Sequence, residues 1–407
     1  MPGSHDKANS MLSRRGILLG ALAAPALLKA STITAPTAHA ITRWRSDPYA
    51  YGSYSFLARG AEPTQRRDLA APLGPLFFAG EATSSDHPST VHGALLSGRR
   101  AAQEIIATGR RRIAVIGAGF AGLGAAAALH AAGVEVEVID ARDRIGGRVH
   151  SADLAGATID LGASWIHGIQ DNPLTALAEE TRTETRITDW SALHLFNESG
   201  RRRFLPFLPR AAQEVEVSHA YGADFTDLSP DAFEEGDEFG GDEVTFPQGY
   251  GSLLPALTTG YTITLGKPVR RIDWTPDGGA TLTLRGSRRA YDGALITVPL
   301  GVLKSGDITF APALPPEKEA AIADLGMGHL SKVFLRFDAP FWNEDLHAFV
   351  YLGEDPTRFA TWINIAKTND APILMAFHGG SAADALEERP DADIIEDAMD
   401  VLTTIWG

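Results

Sequence analysis

Hydrophobic and polar positions change their period twice between Arg112 and Asp140. Ile113-Ala114-Val115-Ile116 is a short apolar run that predicts a buried strand, and the glycine-rich GAGFAG follows it. An alanine-rich stretch then predicts a helix, and Val134 to Ile139 predicts a second strand ending in Asp140. Upstream, Ile41 to Ser55 predicts a strand plus turn, and Leu76–Ala79 a short strand. From about Ser89 to Ile106 a helix is expected, with Val91, Ala94, Leu95, Gly98 and Ala102 at helical spacing. Residues 168–247 predict one helix at about Pro173–Thr181, then irregular segments and an acidic, mobile loop from Asp224 to Glu243. Beyond Gly249, GYGSLLPAL predicts a helix start. Tyr261–Leu265, Val269–Trp274 and Thr281–Leu284 alternate as strands. Leu295–Val298, Leu330–Phe337 and Ala371–His378 add three more strands, and Asp393–Ile405 predicts a closing helix.

The strand–glycine turn–helix unit has a chemical meaning. Gly117, Gly119 and Gly122 let main-chain N–H groups approach a pyrophosphate at a helix N-terminus, where negative charge is favoured. Asp140 stands about 20 residues on, where a carboxylate accepts hydrogen bonds from a ribose. The pattern predicts a bound adenine dinucleotide.

Composition narrows the rest. The chain has 407 residues, 44% hydrophobic and 21% charged, enough for two domains with cores of their own. Its net charge of −15, with no basic stripe, argues against a nucleic-acid partner and suits cationic small molecules, though an ordinary acidic surface accounts for it equally well. There is no cysteine, which excludes disulfides, thiolate metal sites and a cysteinyl cofactor link. No metal site is read elsewhere. Ser13-Arg14-Arg15, the apolar run Gly16–Leu28 and Ala38-His39-Ala40 together predict a twin-arginine export signal over 1–40. That run is short of the ~20 residues of a membrane span, so no span is expected after the signal is removed, and the expected location is periplasmic or secreted, reached in the folded state.

Nine segments together resemble the flavin-dependent amine oxidase family of monoamine oxidases, polyamine oxidases and lysine-specific histone demethylases. They are IAVIGAGFAG, VIDARDRIGGRV, DLGASWIHG, PQGYGSLLPAL, VRRIDW, LITVPLGVLK, GHLSKVFLRFDAPFW, RWRSDPYAYGSYS and LFFAGEATSSDHPSTVHGALLSG. Their order differs from the family's, where the GSYS and GEATS segments lie at the C-terminus. Here both precede the dinucleotide unit, as in a circular permutation or an assembly rearrangement. The end of the 89–106 helix and the start of strand 113–116 should then lie close, since a short join is cheap.

The resemblance implies a Rossmann-like, GR2-type FAD-binding domain with a parallel sheet, plus an α+β substrate domain with a mixed sheet. Residues 41–109 would be the displaced C-terminal segment, 110–167 the dinucleotide unit, 168–247 the substrate insert, 248–300 the second FAD part, and 301–407 the substrate sheet and helix. It implies FAD contacts from Gly117, Gly119, Phe120, Ala121, Gly122 and Asp140; from Arg142, Gly147 and Arg148; from Gly162, Ala163, Ser164 and Trp165; and from Val269, Gly80, Glu81, Thr90 and Val91. Lys332 would be the catalytic residue, buried and with a lowered pKa, holding a water beside the flavin. Tyr54 would form one wall of the amine pocket, with Thr90 opposite and His167 at its border. Ser53 stands where monoamine oxidases carry the flavin-linked cysteine, so FAD would be non-covalent.

The implied reaction is oxidation of a di- or polyamine, or a similar amine, with dioxygen as the second substrate and peroxide as product. The lysine and histidine also have ordinary readings, as a strand lysine and a buried structural imidazole. Two alternatives remain at this point: an L-amino-acid oxidase of the same fold, and an inactive FAD-binding remnant.

Overall fold

Residues 33–205 and 208–407 are described by the computed structural model. A five-stranded, all-parallel sheet runs in the order Thr262–Thr264, Glu135–Ile139, Arg112–Ile116, Gly293–Ile296 and Leu76–Phe78. Residues 113–116, Gly293–Ile296 and Leu76–Phe78 are buried on both faces, as a sheet covered on both sides requires, while Glu135–Ile139 and Thr262–Thr264 carry polar residues toward the open edge. The last strand comes from the front of the chain, and Phe77 and Val115 flank Leu295 in register.

The helix Val91–Ala107 crosses the dinucleotide helix Phe120–Ala131 at close range. Glycine makes that possible: a Cβ on Gly98 would lie 2.0 Å from the Ala121 carbonyl oxygen, and one on Gly124 would lie 2.5 Å from Leu95 Cδ1. Leu95 and Ile105 thereby share one core with Leu123 and Leu129. Only Thr108 to Arg111 separate that helix from the first strand, with Gly109 at φ +71° making the turn.

A seven-stranded mixed sheet builds the second layer. Its order is Ala38–Ile41, Leu330–Arg336, Ile373–Gly379, Thr361–Asn364, Ala348–Leu352, Leu193–Asn197 and Arg202–Arg203. Alternation along the second strand sends Val333 and Leu335 toward the helix Asp391–Trp406, while Phe334 faces a different core with Ile363 and Met375. Lys332 shares the face of Phe334 by the same period. A smaller sheet joins Val269–Trp274 to Ala280–Leu284 and Thr309–Ala311.

Three expected boundaries shift. Ala38–Ala40, expected outside the fold, pair with Phe334–Arg336 as an edge strand, and Ala38 and Ala40 pack beside Phe334. Thr309–Ala311 belongs with the 248–300 part, because it pairs with Arg271–Asp273. Leu193–Asn197, inside the 168–247 insert, is a strand of the large sheet. The Asp224–Glu243 segment is seated rather than loose: it carries short turns at Phe225–Asp227 and Pro230–Phe233 and packs on the 84–92 segment. Among the described residues, no helix is long and apolar enough to cross a membrane, and no cluster of three or more His, Asp or Glu side chains could hold a metal.

Candidate active site

A cavity of about 1490 Å³ runs between the two large sheets. That exceeds the ~300–1,000 Å³ of an ordinary small-molecule site, leaving room for a dinucleotide and a substrate together. Tyr54, Glu81 and Thr90 line it from the front segment, Gly119 and Arg148 from the dinucleotide unit, and Lys332 from the second sheet. Residues nearly 280 positions apart are therefore neighbours.

At the nucleotide end, Gly117 takes φ +114°, and a Cβ there would sit 2.6 Å from Thr297 Oγ1. A Cβ on Gly119 would meet nothing nearer than 3.9 Å, so its side faces open space. The helix beginning at Phe120 has no side-chain cap, leaving its first N–H groups for an anion. Gly122 does not reach the cavity. It is packed inside the turn, where a Cβ would lie 1.9 Å from the Gly117 carbonyl. Asp140 accepts from Ala118 N at 2.6 Å and Arg142 N at 2.8 Å, which fixes its carboxylate against the glycine turn with lone pairs left for a ribose. The register slips between Val269 and Arg271, freeing main chain at the cavity edge. These features fit an adenine dinucleotide.

Arg142 differs from expectation. Its guanidinium forms a bidentate pair with Asp47, at 2.8 and 2.9 Å, instead of reaching for phosphate. Arg148 stays at the cavity, half-turned to Glu81 (2.7 Å) and the Ser53 carbonyl (3.0 Å). Glu81 accepts from Arg148, from Ser55 Oγ at 2.6 Å, and from the main-chain N–H groups of Ser55 and Ser89. Burial raises its pKa, but Arg148, Ser55 and Arg66 outweigh that and hold it below the usual value. With its oxygens taken, Glu81 organises the cradle from behind. Ser53 likewise serves the fold, exchanging hydrogen bonds with Leu330.

At the other end, Lys332 is 4% exposed. Its Nζ donates to the carbonyl oxygens of Asp160 (3.0 Å) and Gly162 and to Ser164 Oγ (2.6 Å). The rings of Trp165 and Phe377 bracket it, each 5.8 Å away. Burial lowers its pKa, and the nearby Asp160 carboxylate only partly offsets this. Gly162 must be glycine, since a Cβ would fall 1.7 Å from the Arg148 carbonyl. Ala163, Ser164 and Trp165 follow it along the cavity, with Gly80, Gly147 and Val91 nearby on its wall.

The expected amine-pocket residues are all on the cavity, with changed duties. Tyr54 donates its hydroxyl to the His219 carbonyl at 2.5 Å. Thr90 is the helix N-cap: its Oγ1 accepts from Gly93 N at 2.9 Å and donates to the His87 carbonyl. His167 bonds Glu243 at 3.1 Å, and Trp190 holds that carboxylate's other oxygen. Burial keeps His219 neutral near neutral pH, with its pKa lowered to about 4, and lowers His92 to about 3.

Several site residues carry no sequence signal. Register places Lys332, Phe377, Thr361 and Val350 side by side across four strands, all facing the cavity. Two strand spacings separate Lys332 from Thr361, about 10 Å. There Thr361 Oγ1 donates to Glu216 at 3.1 Å. Arg66, Glu216 and Glu235 carry no mark in the sequence, because single charges in polar stretches read as solvated surface, and Asp160 opens the DLGASWIHG segment without a role of its own.

Comparisons with known proteins agree with this geometry. The sequence profile of the family "Flavin containing amine oxidoreductase" matches residues 6–106, 120–217 and 190–407, and that of "Pyridine nucleotide-disulphide oxidoreductase" matches 60–161. The first match begins inside the segment expected as an export signal. The chain is 30% identical over 362 residues to lysine-specific histone demethylase 1 homolog 1 of Oryza sativa subsp. japonica, covering 72% of this chain and 42% of that protein. It is 28% identical to polyamine oxidase 4 of the same plant, covering 70% and 71%. The fold is shared with a putrescine oxidase solved with putrescine bound, at TM-score 0.57 and 21% identity, over 73% of this chain and 82% of that one.

Proposed function

This chain belongs to the family of flavin containing amine oxidoreductases, and from that premise we propose that it oxidises a di- or polyamine at a C–N bond with non-covalently bound FAD and dioxygen. The observation that carries the reading is the continuous cavity from the glycine turn at Gly117–Gly119, past Lys332, to Glu216. FAD held there supplies the two-electron acceptor. The protein's part is binding, orientation and control of charge.

The helix N-terminus at Phe120 and the nearby Arg148 meet the pyrophosphate, and Asp140 the ribose. Gly162 to Trp165 leave room for the ring. Tyr54 and the neutral His219 line the amine's approach without adding positive charge, so a substrate amine can shed its proton before reaction. Lys332, once deprotonated, still satisfies two of its three acceptors and offers a lone pair to a water. Acidic groups also line the cavity, among them Glu216, Asp237, Glu238 and Glu243, which suits a second ammonium. Arg210 also lines the cavity, but its side chain is 86% exposed, which does not make a desolvated clamp for an amino-acid carboxylate.

Peroxide-coupled turnover of putrescine, spermidine, spermine, aromatic amines and L-amino acids tests the reading. The expected substrates are the di- and polyamines. Glu216→Gln should raise KM for putrescine about tenfold or more and leave a monoamine's KM within about twofold, as loss of one charge-assisted contact would. Turnover of amino acids alone would replace this reading with an L-amino-acid oxidase, and FAD binding without any turnover would replace it with an inactive remnant.

The segment order is proposed to be a circular permutation. Supporting it, the front segment supplies a strand of the parallel sheet and the helix beside the dinucleotide helix, joined by four residues. Export by the twin-arginine route to the periplasm or medium is proposed from the Arg14-Arg15 pair and the apolar run behind it. Cleavage after Ala40 would remove three residues of the edge strand, so N-terminal sequencing of exported protein is the check.

A further inference from the structure

Arg66 is a fully buried arginine that no step above uses. It lies on the helix Thr64–Ala70 with 0% exposure. Its Nε and Nη2 grip Glu235 as a fork, at 2.5 and 2.9 Å. Its Nη1 donates to Ser55 Oγ at 2.7 Å and to the Ala82 carbonyl at 3.3 Å. An arginine cannot accept, so the Ser55 hydroxyl proton is forced toward Glu81, the acceptor 2.6 Å away. One unbroken chain of bonds therefore runs Glu235–Arg66–Ser55–Glu81–Arg148. It alternates in charge and links the acidic segment to the cradle.

What Glu235 carries with it is a wall of the cavity. Next to it, Asp237 N bonds the Asp86 carbonyl at 2.5 Å, and the Asp237 carbonyl meets His87 Nδ1 at 2.8 Å. Phe239 stacks on the His87 ring at 4.6 Å, and Phe233 meets Tyr221 edge-on at 5.5 Å. These neighbours are neutral or weak. The Arg66–Glu235 pair is a buried ionic tie of the segment, and breaking such a pair leaves a charge without its partner.

We propose that Arg66 and Glu235 are positioning residues that seat the 229–242 segment as a wall of the amine pocket, and that through Ser55 and Glu81 they make that seating one unit with the cofactor cradle. The effect on amine binding rests on the amine-oxidase reading above; the seating itself does not. Both residues act through the groups they hold, Ser55 and Glu81 on one side and the 229–242 segment on the other.

Two measurements on the FAD-loaded full chain test it. In the first, Glu235→Gln keeps the shape and removes the charge. The expected result is a KM for putrescine raised tenfold or more, with a smaller fall in the limiting rate of anaerobic flavin bleaching. Glu235→Asp, which keeps the charge, should lose less than Glu235→Gln. In the second, limited digestion with a glutamate-specific protease should cut Glu235→Gln within 234–243 at least tenfold faster than wild type. If wild-type flavin is bleached by no amine, the amine-oxidase reading fails and the digestion alone judges the seating. Equal digestion rates and an unchanged KM in Glu235→Gln would overturn the proposal. Should Glu235→Gln fail to fold, Glu235→Asp decides by the same two measurements.

Discussion

Replacing Glu81 by glutamine perturbs the cradle at the point where the front of the chain meets the dinucleotide unit. The carboxylate accepts from Arg148, Ser55 Oγ, Ser55 N and Ser89 N. Glutamine keeps the volume but turns one acceptor into a donor, so part of that donor set faces an NH2. Hydrogen bonds to charged groups are worth about 1.5–3 kcal/mol, and breaking one side of a buried pair costs about 3–5 kcal/mol. Arg148 is 22% exposed, so water recovers some of this; a loss of about 3 kcal/mol in unfolding free energy is expected. Urea unfolding of apoprotein, Glu81→Gln against wild type at pH 7, reads it directly. The pH dependence carries a sign. Because the folded pKa lies below the ordinary 4.5, the stabilisation is present above pH 4.5 and is lost as pH falls through the folded value. The difference between the two proteins should therefore shrink in acid. A loss under about 1 kcal/mol at pH 7, or a difference that grows in acid, would refute this picture of the network.

Gly98→Ala drives a methyl into the Ala121 carbonyl, at 2.0 Å before relaxation. It should cost about 2–3 kcal/mol in urea unfolding and weaken FAD binding, since Ala121 sits in the first turn of the pyrophosphate helix; unchanged stability would mean the two helices are not in this contact. His329 is buried between Asp384 (2.8 Å) and Glu387 (2.9 Å), whose bonds raise its pKa despite desolvation, while Glu387 is lowered to about 2. The histidine's contribution is full below pH 6.5 and fades as pH rises through the folded value; the glutamate's is full above pH 4.5 and fades toward pH 2. Stability should peak between, and His329→Gln should remove the alkaline decline in a pH series of urea midpoints.

Local pattern made the dinucleotide unit legible: an apolar run, three glycines and Asp140 need no distant partner to be read. Lys332 was legible only through the surrounding motif, because alternation alone leaves a strand lysine on either face. The helix Arg210–Tyr221 was not legible. Pro209 precedes it with no side-chain cap, and its two valines blur the helical signal; Ala212, Val215 and Ser218 pack inward and decide the matter. Ala348–Leu352 pairs with Leu193–Asn197 across some 150 residues, a contact no local window contains. Ala38–Ala40 carries a cleavage-site pattern, and the same small residues also suit the sheet edge they form, a pairing with Phe334–Arg336 that no local window contains. Arg66 and Glu235 looked like solvated charges until the fold placed them face to face.

Anaerobic titration of the purified full chain with putrescine, followed through the flavin absorbance, tests most directly that residues 33–109 and the rest build one working FAD site. The expected protein is yellow with one FAD per chain, bleaches on the amine, and regains its colour with peroxide when air is admitted. A colourless protein that takes up no added FAD would contradict it.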